Sequence, residues 1–318
     1  MMLHRFSVIG RLSVASLALC LMVQSRGGVA ASDQPVATNP SRAISQLSFL
    51  RPRGRDGGAP VCLPLADQRD PDIRRNRSAL ASFPVCLSKA TVRDAGRSDW
   101  VFTTYTNKMS PNGPIWYLPH DDEDAAFDAA VYAIATYGGR FIAADAREKR
   151  NFGNIDPNRA FGRTNGSVRP CSITRAYPAY TQFVMDGFRG ARNILTLHTN
   201  ADGPPLSVRV NSAKLRGYPA TVNVGLSDPD NVVILAGRQP LENNRQVARF
   251  ADALRGAGLN VIYERVTRAN NDCSLSNYMA LSGERRLYVN IEAQDGARTA
   301  QKRMIDIVMR QLGVRPVR

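Results

Sequence analysis

The chain is 318 residues long, 43% hydrophobic and 22% charged, which suits a globular protein of one large domain with extensions, or two small ones. Its formal charge is +15, carried mostly by arginines scattered along the chain rather than gathered in a tail, which points to a cationic surface and anionic partners. With no helix-turn-helix pattern, zinc-finger spacing or RNP-like aromatic strand, nucleic acid is not an expected partner.

In chain order, residues 1–31 have the layout of a secretory signal peptide. A basic start (His4, Arg5, Arg11) leads into an apolar run, Leu12 to Val23, and then into the small residues Gly28-Val29-Ala30-Ala31. The apolar run is short for a membrane span, and no later span is expected. An exported protein, periplasmic or secreted, follows. Removing the signal takes Arg5, Arg11 and Arg26 and no acid, so the charge falls from +15 to +12. It also leaves Cys62, Cys86, Cys171 and Cys273. An even set in an oxidising compartment suggests disulfides. All three connectivities stay open, with Cys62–Cys86 and Cys171–Cys273 the local choice.

Residues 32–95 are rich in Pro, Arg, Ser and Gly, without a sustained period, and read as a poorly ordered extension. The main domain is placed at 96–318. Trp100 to Thr106 reads as a strand. After the turn Ser110-Pro111-Asn112-Gly113-Pro114 comes a buried strand, Ile115 to Leu118. A helix is expected from Asp121, with acids at its start, an apolar face of Phe127, Ala130, Val131 and Ile134, and Gly138-Gly139 as its end. Phe141 to Ala144 is a strand, and Ile173 to Phe188 a helix. Asn193 to Leu197 is a strand running into His198. Further strands are expected at Ser207–Asn211, Val232–Leu235, Asn260–Glu264 and Arg286–Ile291, the last ending at Glu292. A helix covers Glu242 to Leu254, and a final amphipathic helix carries Ile305, Ile307, Val308 and Leu312. Strands alternating with helices indicate an α/β three-layer sandwich around a mixed, largely parallel sheet.

The chain has only three histidines, and His4 falls in the signal. The other two, His120 and His198, stand with Glu292 at the carboxyl ends of expected strands, the edge where sites form in open α/β sheets. His120 opens a His-x-x-Glu pair with Glu123. Two imidazoles and a carboxylate, with a position left for water, make a zinc site of the catalytic kind.

The loop between the histidines contains Asp156-Pro157-Asn158-Arg159-Ala160-Phe161. His-x-x-Glu, then Asp-x-Asn-Arg-x-Phe, then a strand-ending histidine and a strand-ending glutamate resemble, in order, the zinc metallocarboxypeptidases and the related succinylglutamate desuccinylase and aspartoacylase deacylases. The resemblance covers roughly residues 114–310. It implies a zinc carboxypeptidase-like fold and one zinc ion per chain, held by His120, Glu123 and His198. It implies Glu292 as general base and Arg150 as the oxyanion arginine, with Arg147 a rival. Asn158 and Arg159 would grip the substrate carboxylate, and Tyr278 would cap the substrate. The substrate would be a peptide or acyl-amino acid with a free carboxylate. Export and charge favour cell-wall peptides and an anionic cell-wall polymer as partner. An N-acyl amino acid deacylase is the alternative enzyme, and a catalytically silent envelope-binding protein the alternative from another class. Asp121 and Asp122 depart from the family pattern, which has a small residue first after the histidine. The stretch Asp272 to Tyr278 is expected to wall the pocket.

Overall fold

Val85–Arg93 (β1) and Asp99–Asn107 (β2) form an antiparallel ladder in unbroken register, from Val85 opposite Asn107 to Arg93 opposite Asp99. They open a nine-stranded sheet in the computed structural model, which describes residues 61–94, 99–162, 177–203 and 206–317. The signal expected over residues 1–31 lies outside the described residues, as do Ile173 and Cys171.

The other strands are Ile115–Leu118 (β3), Arg140–Ala144 (β4), Asn193–Asn200 (β5), Leu215–Tyr218 (β6), Val232–Gly237 (β7), Asn260–Arg265 (β8) and Leu287–Gln294 (β9). Their spatial order is β1-β2-β4-β3-β5-β9-β7-β8-β6. The central four, β4-β3-β5-β9, run parallel, while β7 lies antiparallel against β9 and parallel to β8. A central parallel strand is covered on both faces, so it reads as a continuous apolar run rather than an alternating one. Ile115-Trp116-Tyr117-Leu118 is such a run, buried at every position.

Short helices Pro71–Arg75 (α1) and Arg77–Ala81 (α2) share one face of the sheet with Asp124–Tyr137 (α3), Arg245–Gly256 (α5) and Arg298–Gln311 (α7). Pro178–Gly187 (α4) and Leu275–Leu281 (α6) cover the other face. The three layers are those expected. Gly138-Gly139 ends α3 and returns the chain to β4, both at positive φ. A Cβ on Gly139 would meet the Pro114 carbonyl oxygen at 1.9 Å, so only glycine lets the turn pass that close.

Four expectations need correction. The stretch 32–95 is not poorly ordered where it is described, since residues 61–94 include α1, α2 and β1, with Ile73 and Leu80 fully buried in the core around α3. The β1 sequence mixes Lys89 and Arg93 among its apolar residues, so its period is weak, and β2 supplies the ladder that makes it a strand. Cys62–Cys86 is a disulfide between the chain entering the domain and β1. Ser207–Asn211 is no strand. Its backbone is spent on turns and on Pro229, and the edge strand β6 forms beyond it, antiparallel to β8. Finally, α3 begins at Asp124 rather than Asp121, and α6 forms where only a pocket wall was expected. No helix among the described residues is long and apolar enough to cross a membrane.

Candidate metal centre

Parallel strands β3, β5 and β9 aim their carboxyl ends the same way, which gathers side chains far apart in sequence. His120 lies two residues beyond the end of β3. His198 and Glu292 are within β5 and β9, near their ends, and face each other in register. Leu195, Leu197, Val289 and Ile291 point into the core beneath α3 and α7. By the two-residue alternation of strands, Thr196, His198, Asn290 and Glu292 therefore share the opposite face.

Glu123 occupies the N-cap position of α3, yet its carboxylate makes no cap bond. It folds back onto the site instead. Oε1 lies 2.7 Å from Nδ1 of His120, and Oε2 lies 3.3 Å from Nδ1 of His198. The Thr199 backbone N–H donates to Oε2 at 2.9 Å, and Nη1 of Arg150 donates to Oε1 at 2.8 Å. The two imidazole rings meet edge to face, 5.0 Å between centroids. His120, Glu123, His198 and Glu292 are all buried.

Asp156 completes the arrangement. Its Oδ1 lies 2.9 Å from Nε2 of His120 and accepts from the Asn158 N–H at 2.7 Å, so one carboxylate orients the ring and starts the Pro157–Arg159 turn. If His120 carries its proton on Nε2 toward Asp156, a bare Nδ1 faces the Glu123 carboxylate, acceptor against acceptor. Positive charge has to lie between them, as a second imidazole proton or as a metal ion. Burial opposes the charged imidazole, but the Glu123 and Asp156 carboxylates outweigh it and lift His120 to about 9. Burial likewise opposes ionised Glu123 and Asp156, yet the two histidines hold Glu123 well below the usual range, and His120 and Arg159 hold Asp156 at about 2.

The donor set fits a divalent metal. Two imidazole nitrogens and one carboxylate oxygen lie within 4.8 Å of one another. The carboxylate on the far nitrogen of His120 is the usual brace of a metal-bound histidine, and nitrogen with oxygen suits zinc. A second group, Asp70, Asp72 and Glu148, is also within 4.8 Å, but it is all carboxylate, and Asp72 is already paired with Arg75.

Glu292 has the environment of a carboxylate that takes up a proton more readily than a free one. Burial raises its pKa and the Glu123 charge adds to this, against the histidines and a 2.8 Å hydrogen bond from Asn290 Nδ2. Arg159 follows Asp156 by three residues, with its Nε 3.7 Å from Asp272. Asn158 accepts from the Leu275 N–H at the start of α6, and Tyr278, buried on the same helix, packs its ring against Phe161. Cys273, just before α6, is disulfide-bonded; the pairing with Cys171 lies outside the described residues.

Asp121 turns away from the histidines. Its Oδ2 accepts from the Glu148 N–H, and burial raises its pKa to about 7. Asp122 stays exposed, 3.9 Å from Arg150. Asp156 has no role in the sequence motif beyond its place in it, and Asn290, two residues before Glu292 on the same strand face, is a functional neighbour that the motif does not include. That spacing was the available signal.

No family model matches this sequence, and no curated protein matches it. Solved structures similar to it include a metallo-carboxypeptidase from Pseudomonas aeruginosa, at TM-score 0.39 and 13% identity over 78% of this chain and 68% of that one. Another is a succinylglutamate desuccinylase from Silicibacter, at 0.39 and 15% over 75% and 70%. A third is thrombin activatable fibrinolysis inhibitor, at 0.40 and 10% over 80% of each. All three are of the zinc carboxypeptidase-like superfamily. The chemistry assigned to the site rests on its own side chains.

Proposed function

We propose that this protein is an exported zinc-dependent hydrolase that cleaves an amide bond next to a free carboxylate, in the manner of a metallocarboxypeptidase. The observation that carries the reading is the buried His120–Glu123–His198 group, braced by Asp156 and set beside Glu292. Zinc held there would polarise the scissile carbonyl and lower the pKa of water toward ~7.

The remaining work falls to the chain. Glu292, with its raised pKa, takes the proton of the attacking water and returns it to the leaving amine. Arg159 and Asn158 hold the substrate carboxylate, a task suited to the bidentate guanidinium, and so fix which amide bond lies over the site. Arg150 offers positive charge to the developing oxyanion, and Tyr278 closes over the substrate from α6. The Cys62–Cys86 disulfide supports export to an oxidising compartment. The cationic surface, with export, favours peptides in or derived from the anionic cell wall.

Metal analysis of the purified protein should find about one zinc per chain, lost in a His120→Ala His198→Ala variant. No metal in the wild type sinks the reading. Peptides with free and amidated C-termini then test the anchor. Cleavage of the free form alone is expected, and equal cleavage of both rules out exopeptidase action. Preference for short N-acyl amino acids over peptides would move the activity to the deacylase branch.

A further inference from the structure

The Glu123 carboxylate has no free acceptor position. A carboxylate offers about four lone-pair sites, and Glu123 fills them with Nδ1 of His120, Nη1 of Arg150, the Thr199 N–H and Nδ1 of His198. An ion held by Glu123 and the two histidines would take the place of the Nδ1 contacts and bring its charge beside the guanidinium on Oε1. The histidines are ligands themselves, and binding an ion would release the Nδ1 proton of His120 so that its lone pair serves the ion. The Thr199 N–H is fixed in β5. Arg150 is the remaining contact, and it alone brings a permanent positive charge that an ion would both compete with and repel. Arg150 is also free to move, since its side chain is 49% exposed while that of Glu123 is 4% exposed. A second carboxylate waits beside it, because Asp122 Oδ1 lies 3.9 Å from the same Nη1 and is 39% exposed.

We propose that Arg150 is a metal-displaced cation, occupying Glu123 in the metal-free protein and passing to Asp122 when the ion binds. This rests on the metal-site reading above and adds a function to it. Metal loading frees the guanidinium of its buried partner and leaves it at the edge of the site, available to substrate, so the oxyanion arginine becomes available only in the loaded protein. Asp122, one of the two acids that depart from the family pattern, acquires a task as the receiving carboxylate. Asp121, bound to the Glu148 N–H, has no part in it.

The test measures zinc affinity by competition with a chromophoric chelator, on metal-stripped wild type, Arg150→Ala, Arg150→Lys, Asp122→Asn and the Arg150→Ala Asp122→Asn double variant. Arg150→Ala should bind zinc about tenfold more tightly, the scale on which groups next to metal ligands change affinity. Arg150→Lys should stay near wild type, because it keeps the charge. Asp122→Asn should bind more weakly, and that loss should shrink in the Arg150→Ala background, because the two residues act as one unit. Unchanged or weaker binding by Arg150→Ala, with zinc bound normally by wild type, overturns this proposal and leaves the hydrolase reading standing. Equal losses from Asp122→Asn in both backgrounds overturn the role of Asp122 as receiver. No zinc in wild type ends both readings, whatever Arg150→Ala binds. Far-ultraviolet circular dichroism confirms that each variant is folded.

Discussion

Replacing Asp156 by alanine should separate the metal centre from the fold that carries it. Asp156 accepts from Nε2 of His120 at 2.9 Å and from the Asn158 N–H at 2.7 Å. The first is a charge-assisted bond to a buried ring, on the order of 1.5–3 kcal/mol, and the second caps a short helical turn, about 1 kcal/mol. Together they put the loss of stability of the metal-free protein at roughly 2–4 kcal/mol. In the loaded protein the ring loses the brace that turns Nδ1 toward Glu123, so zinc affinity should fall about 10- to 100-fold. Urea unfolding of the stripped protein gives the first quantity and chelator competition the second. Asp156→Asn, which keeps an acceptor, should recover most of the stability but less of the affinity. Zinc affinity unchanged in Asp156→Ala would refute the assignment of His120 as a braced ligand, whatever happens to stability.

Glu292→Gln should retain zinc while kcat falls by about 10²-fold or more; an active variant places the base elsewhere. Asp121 is a carboxyl whose folded-state pKa is raised from 3.8 to about 7, mainly by burial. Its contribution is therefore favourable below pH 3.8 and is lost as pH rises toward 7. Asp121→Asn should accordingly raise the urea midpoint more at pH 8 than at pH 4, and an equal change at both values would contradict the buried-acid account. Tyr180 donates to the Pro157 carbonyl at 2.8 Å and meets the Tyr117 hydroxyl, bracing the segment that carries Arg159. Tyr180→Phe strands a buried carbonyl at a cost of about 1–3 kcal/mol and should raise KM more than it lowers kcat. A change confined to kcat would show that the brace serves something other than the carboxylate anchor.

Some features of this protein follow from signals local in the chain. Ile115-Trp116-Tyr117-Leu118 announces a central strand because both of its faces must be covered. The Gly138-Gly139 pair announces the end of α3, and His-x-x-Glu places an imidazole beside a carboxylate within one turn of chain. Tertiary structure decided the rest, because it depends on partners far away in the chain. β1 is a strand through its ladder with β2, which its own mixture of charged and apolar residues does not reveal. Asp156 reaches His120 across 36 residues, and Arg150 reaches Glu123 across 27. Asp121 and Asp122, adjacent and alike in sequence, divide into a buried acid on a backbone N–H and an exposed one beside a guanidinium. A side chain's type sets what it can bind, but the field it experiences is assembled by neighbours that only the folded sheet brings together.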